Sequence, residues 1–238
     1  MKVSDRFGFL VVALLGAAGC VTDGPRERAE LPFAREGIEW CDVWIPNVGP
    51  DFDGKLPRVL LVGDSISRQY RPGVDPVLAG TAYVAGLATS SCVGDPAFRD
   101  QLKYILDFTD WDVIHFNNGL HGAVCPDADY ERYLGEALDF IHARQPRAKV
   151  ILALTTFARN GPEVPERVRA RNAAALRQTA LRPWIAAVDD LYAVTAADPD
   201  ACLNADNVHF NAKGTDKLVQ AVAKSIREVL SPRQNGRP

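Results

Sequence analysis

The run Arg58-Val59-Leu60-Leu61-Val62, followed at once by Gly63-Asp64-Ser65-Ile66-Ser67, decides how the rest of the chain is read. Residues 59–62 are apolar, and 59 and 62 are β-branched. That is the composition of a strand buried on both faces, as in parallel sheets covered by helices. The glycine permits a tight turn. A serine on that turn stands on a rigid element with its hydroxyl at the carboxyl edge of the sheet. If a helix follows, its N-terminal amides favour negative charge developing there. A Gly-Asp-Ser triplet also suits a helix cap or an ordinary turn, so its weight depends on its surroundings.

Working outward, strands and helices alternate. Residues 82–85, 112–116 (DVIHF), 149–154 (KVILAL) and 184–188 read as further strands. Residues 101–108 are amphipathic and helical, and 130–144 form a helix with Leu134, Leu138 and Ile141 on one face. The Ala- and Arg-rich stretch 165–181 and the C-terminal stretch 213–230 are also helical. Such alternation predicts a parallel sheet covered on both faces, and these sheets hold their sites beyond the carboxyl ends of the strands.

Two other segments fall at such ends and carry chemistry. Asp206-Asn207-Val208-His209-Phe210 precedes the last helix. A serine hydroxyl is a poor nucleophile until a base takes its proton. Histidine is the usual base, and it needs an acceptor on its second nitrogen. An aspartate three residues earlier in a turn supplies one, although a surface Asp beside a half-buried His has the same pattern. Phe116-Asn117-Asn118-Gly119-Leu120-His121 ends the strand 112–116. An Asn amide there can donate to the oxyanion of an acyl transfer, and Asn-Gly is equally a turn signal. Taken together, the three segments supply nucleophile, base, orienting acid and oxyanion donor.

These blocks resemble those of the SGNH hydrolases, the GDSL-type esterases. Gly63-Asp64-Ser65-Ile66-Ser67 matches the family's first block, with Ser65 as nucleophile. Asp206 and His209 match the Asp-x-x-His of its last. The third block usually reads Gly-x-Asn-Asp. Here it is closer to the Asn-x-Gly variant of some carbohydrate-ester members, which favours Asn117 over Asn118 as oxyanion donor. The second block would give a glycine amide, matched by Gly94 in Cys92-Val93-Gly94-Asp95, with Gly86 as the alternative. The Ser65 amide would complete the oxyanion hole. The resemblance runs from about residue 57 to 230. It implies a three-layer α/β/α sandwich around a mostly parallel five-stranded sheet, flavodoxin-like in topology, and hydrolysis of short acyl esters without a metal or other cofactor. O-acetyl groups on a glycan are the favoured substrate. The alternatives are an O-acyltransferase on envelope or extracellular polysaccharide, a lipid esterase, and a non-catalytic glycan-binding lipoprotein.

The ends of the chain carry other signals. Lys2 and Arg6 precede the apolar run 7–18, which at about twelve residues is short for a bilayer span, and Ala17-Ala18-Gly19-Cys20 follows. This reads as a signal peptide over 1–19, resembling a bacterial lipobox in which Cys20 is lipidated. The protein is then expected to be an exported, membrane-anchored lipoprotein of the periplasm or cell envelope. Residues 20–55 read as a tether and N-terminal extension, with Trp40, Trp44 and Ile45 packing on the domain. Residues 56–231 form the esterase domain and 232–238 a tail. The net charge of −3 with interspersed signs shows no basic stripe for nucleic acid. A monomer is expected. Four further cysteines in an oxidising compartment allow two disulfides. Cys92–Cys125 is favoured because both should follow neighbouring strands, leaving Cys41–Cys202, and four buried free thiols are the alternative. His115 reads as a core histidine, His121 as a neighbour of the site and His142 as a surface residue. Arg159, Arg167, Arg169 and Arg171 read mostly as a solvated face, with Arg159 able to reach a polar substrate. Asp189 and Asp190 read as turn residues.

Overall fold

The computed structural model describes residue 37, residues 39–46 and residues 55–231. The expected signal segment, Cys20, most of the tether and the tail lie outside these residues. The elements, in chain order, are β1 Cys41–Trp44, β2 Arg58–Gly63, α1 Ser65–Val77, β3 Tyr83–Thr89, α2 Pro96–Leu106, β4 Val113–Phe116 and α3 Asp127–Arg144. They continue as β5 Lys149–Ala153, α4 Val164–Ala180, β6 Ile185–Asp189, α5 Leu191–Ala196, α6 Pro199–Cys202 and α7 Ala212–Leu230.

The strands form one sheet in the order β1-β3-β2-β4-β5-β6. The five strands β2 to β6 are parallel, and β1 runs antiparallel to β3. The expected sheet of five strands therefore has a sixth, and it comes from the segment read as tether. A four-residue edge strand that is largely exposed carries no run of buried apolar residues to announce it.

Alternation along each central strand feeds two cores. Leu60, Val62, Leu87, Ile114, Phe116, Val150 and Leu152 face α2 and α3, meeting Phe98, Leu102, Leu134, Leu138 and Ile141. Val59, Leu61, Val84, Val113 and Ile151 face α1 and α7, meeting Tyr70, Val74, Leu218, Val222 and Ile226. Each such side chain contributes about 1.5–3 kcal/mol by leaving water. Helix α1 continues through Pro72 and Pro76. Tertiary burial of Ile66, Tyr70 and Val74 holds it. Gly73 lets α7 come close, since a Cβ there would sit 2.6 Å from Val219 Cγ2.

Candidate active site

The turn after β2 is built so that Ser65 becomes the first residue of α1. A Cβ on Gly63 would lie 2.7 Å from both Cβ and Oγ of Ser67, so only glycine fits. Asp64 caps the helix: its Oδ1 accepts from the Ile66 amide at 2.9 Å, and its carbonyl accepts from Ser67 Oγ at 2.8 Å. Ser65 thus stands at the carboxyl edge of the sheet, at the positive end of α1.

The last block arrives from the other end of the chain. His209 Nε2 lies 2.8 Å from Ser65 Oγ, and His209 Nδ1 lies 2.8 Å from Asp206 Oδ2. The second oxygen of Asp206 accepts the amides of Val208 (3.0 Å) and His209 (2.9 Å). Those bonds, with the Val208 amide contributing most, hold the Asp206 carboxyl below the usual carboxylate range. The turn needs a left-handed residue, and Asn207 supplies it at φ 58°, a conformation that Asn tolerates well. His209 and Asp206 keep 40% and 50% of their side-chain surface exposed, so the constellation opens onto solvent.

Two side chains hold this loop. Gln69, one turn beyond Ser65 on α1, grips the backbone of Phe210 with both ends of its amide. Arg159, expected to be available to substrate, instead braces the loop. Its amide donates to the Asn207 carbonyl and its Nε to Asn207 Oδ1, both at 2.9 Å, and its guanidinium pairs with Asp200 at 2.6 Å.

The structure separates the two asparagines of the third block. Asn118 is buried and held at both ends of its amide: its Oδ1 accepts the Val93 amide at 3.1 Å and its Nδ2 donates to the Ser91 carbonyl at 3.0 Å. It ties the loop after β4 to the loop after β3. Asn117 is half-buried. Its Nδ2 donates to the Ala153 carbonyl at 2.8 Å, with a long 3.4 Å contact to Thr155 Oγ1. Gly94 is partly exposed in the turn closed by the Asp95 amide on the Cys92 carbonyl. Gly86 lies inside β3, opposite Leu61 and Trp44, with Arg71 crossing it.

Arg171 overturns its reading as part of a solvated face. It is 1% exposed. Its Nη1 donates to the carbonyls of Gly119 (3.0 Å) and His121 (2.6 Å), and its Nη2 donates to that of Gly122 (2.6 Å). The guanidinium stacks on the Tyr130 ring 4.5 Å away, and Tyr130 Oη in turn donates to the Asn118 carbonyl. A buried guanidinium fork is thus the anchor of the third block. A signal was available: residues 164, 168, 171, 175 and 178 are buried at helical spacing, so position 171 falls on the inward face.

Other expectations change too. The disulfides are not formed, and Cys41, Cys92, Cys125 and Cys202 are free thiols. The strands preceding Cys92 and Cys125 are not neighbours, since β2 lies between β3 and β4. Their loops nonetheless meet at Gly122, whose added Cβ would fall 2.7 Å from Cys92 Sγ and 3.7 Å from Cys125 Cβ. Burial pushes the Cys92 thiol up to about 11. Cys41 is exposed on the edge strand, whereas Cys202 is buried against Gly214 at the start of α7. His115 is fully buried, with Nε2 2.9 Å from Asp189 Oδ2 and Nδ1 lacking a partner. Asp189 therefore serves the core, while Asp190 caps α5 by accepting the Ala193 amide. His142, expected on the surface, is half-buried and stacked on Trp184 at 4.3 Å.

No protein-family model and no curated protein sequence matches the chain. Its structure does match solved ones. A lipase/acylhydrolase from Enterococcus faecalis superposes with a TM-score of 0.58 at 23% identity, over 75% of this chain and 99% of the other. An acetylxylan esterase from Geobacillus stearothermophilus gives 0.57 at 16%, over 76% and 97%. A carbohydrate esterase of family 3 from Talaromyces cellulolyticus gives 0.59 at 18%, over 73% and 98%. The fold is that of the SGNH hydrolases, a mixed sheet between two layers of helices.

Proposed function

We propose that the chain is a serine esterase that removes short acyl groups, O-acetyl above all, from a glycan. The observation that carries this reading is the unbroken relay from Ser65 Oγ to His209 Nε2 and from His209 Nδ1 to Asp206 Oδ2, each contact 2.8 Å.

In this mechanism His209 takes the proton of Ser65 as Oγ attacks the acyl carbon. The negative charge on the acyl oxygen is met by the Ser65 amide at the start of α1, the Gly94 amide and Asn117 Nδ2. An Asn amide carries two hydrogens. The one given to Ala153 fixes the group, and the other, which makes only the long 3.4 Å contact to Thr155 Oγ1, turns to the acyl oxygen as the donor. His209 then passes its proton to the leaving sugar oxygen. Water repeats the cycle on the acyl-enzyme, releasing acetate and restoring Ser65. Asp206 stays ionised and fixes the imidazole tautomer. The acetylxylan esterase and carbohydrate esterase among the structural neighbours support a sugar ester as substrate. The open, polar setting of the dyad supports a bulky alcohol moiety. Export and anchoring through a lipidated Cys20 would place this activity at the cell envelope, with the protein as a monomer.

Incubating the full chain with an acetylated oligosaccharide, and separately with a fluorophosphonate probe, tests the proposal. Acetate release and covalent labelling are expected, both lost in S65A. Acetyl transfer to an added oligosaccharide in place of acetate release would make it an O-acyltransferase. A folded wild-type chain that neither labels nor turns over would be a glycan binder.

A further inference from the structure

We propose that Trp40 is the sugar-stacking platform of this site, delivered to it by the added strand β1; the inference rests on the glycan-ester reading above. Because β1 runs antiparallel to β3 with Cys41 opposite Thr89, the residue just before it lies at the carboxyl end of β3, the edge that bears Ser65. Hydrogen bonds to Thr89 and Ser90 hold it there. The Trp40 amide donates to Ser90 Oγ at 2.9 Å, and its carbonyl accepts from the Ser90 amide (3.1 Å) and Thr89 Oγ1 (3.0 Å).

The indole joins two segments that frame the nucleophile. It meets the His121 ring edge-on, with centroids 6.5 Å apart, and His121 belongs to the block that carries Asn117. The Arg68 guanidinium, three residues past Ser65 on α1, lies over one face of the indole at 5.5 Å from its centroid and is held by Asp42 at 2.9 Å, so the platform is the opposite face. The indole is only half-buried, and exposed Glu39 stands beside it, accepting from the hydroxyls of Ser90 and Ser91.

A pyranose ring has an apolar C–H face bounded by hydroxyls. The wall around Trp40 mirrors that chemistry, with an aromatic surface backed on one face by the Arg68 guanidinium and bounded by a carboxylate and an imidazole. Aromatic surfaces with a few convergent polar groups are the usual composition of sites for such ligands. An aromatic held by an edge strand outside the parallel sheet adjusts alcohol specificity without touching the acyl chemistry.

The experiment compares kcat/KM on an acetylated xylo-oligosaccharide with kcat/KM on p-nitrophenyl acetate, whose leaving group carries no sugar. In W40A the ratio of the two should fall at least tenfold through a higher KM for the oligosaccharide, and W40F should recover part of it. In the wild-type chain, titration with deacetylated xylo-oligosaccharide should shift the Trp40 indole N–H resonance, assigned as the one missing in W40F. An unmoved resonance in the wild-type chain overturns the proposal even where W40A fails to fold, and an unchanged ratio in a folded W40A overturns it equally. Wild-type turnover of p-nitrophenyl acetate with none of the oligosaccharide sinks the glycan substrate and the platform but keeps the esterase; loss of both activities in the folded wild type sinks the esterase reading itself.

Discussion

Gln69 clasps the backbone of Phe210 from both sides, its Nε2 donating to the Phe210 carbonyl and its Oε1 accepting the Phe210 amide at 3.2 Å. The residue preceding Phe210 is His209, and the residue four before Gln69 is Ser65. This side-chain amide therefore ties the helix of the hydroxyl directly to the loop of the imidazole, which Arg159 also braces. Glu at position 69 cannot donate to the carbonyl, and Ala can do neither. Both Q69E and Q69A should lower kcat by about tenfold or more with KM little changed, the size expected when reacting groups are misplaced by a fraction of an ångström. A kcat within twofold of wild type in Q69A would show that the loop is fixed without the clasp.

Asp206 has a carboxyl pKa depressed by the Val208 amide first and by His209 after it. For a depressed carboxyl the associated stability is present above the unfolded pKa of about 3.9 and is lost only as pH falls through the lower folded value. Acid loss of activity between neutrality and pH 5 is then not due to Asp206. A carboxyl carbon titration should place its midpoint below that of an ordinary aspartate, and a midpoint at or above 4 would contradict the hydrogen bonding described. D206N, which cannot fix the same tautomer, should reduce kcat at least about a hundredfold.

Arg171 supports three carbonyls of the loop from Gly119 to Gly122. R171M removes a buried, charge-assisted fork from all three, leaving the Gly122 carbonyl its bond from the Cys125 amide at 3.0 Å, and should destabilise the domain by about 3 kcal/mol or more. At about 2–4 °C per kcal/mol for a domain of this size, the Tm falls by roughly 6 °C or more. R171K keeps the charge but not the planar fork and should fall between. A Tm within about 1 °C of wild type in R171M would remove Arg171 from the support of the loop.

Burial pushes the Cys92 thiol up to about 11, so at pH 8 almost none of it is thiolate. Cys41 is raised less and is exposed. Iodoacetamide at pH 8 should alkylate Cys41 far faster than Cys92 in the folded chain, with the two rates converging in denaturant. Peptide mass mapping over time reads both rates, and equal rates in the native chain would show the Cys92 loop to be open.

The parallel sheet was legible because its strands are buried on both faces: Val59 to Val62 and Val150 to Leu152 leave no ambiguity of period. The element after Ser65 was harder to read, since Pro72, Gly73 and Pro76 contradict a helix locally, and packing against the sheet and α7 overrides them. Strand β1 is an exposed edge whose residues are chosen for pairing with β3, a partner invisible in four letters of sequence. Ser65, Asp206 and His209 are marked by their own spacing and neighbours. The groups that hold them are not. Gln69 and Asn118 have the letters of any surface polar residue and are defined only by what the fold brings beside them, whereas Arg171 is betrayed only by its place on the inward face of α4.

Asp206 and His209 sit three residues apart on one turn whose own amides hold the carboxylate. That half of the relay is a local module, formed as soon as its turn forms. Only one long-distance registration, across 144 residues, remains to be made: the docking of that turn on the helix that begins with Ser65. Natural or designed relatives can therefore alter the intervening chain, lengthening loops or recutting the substrate wall, with the chemistry left intact so long as two helices still meet.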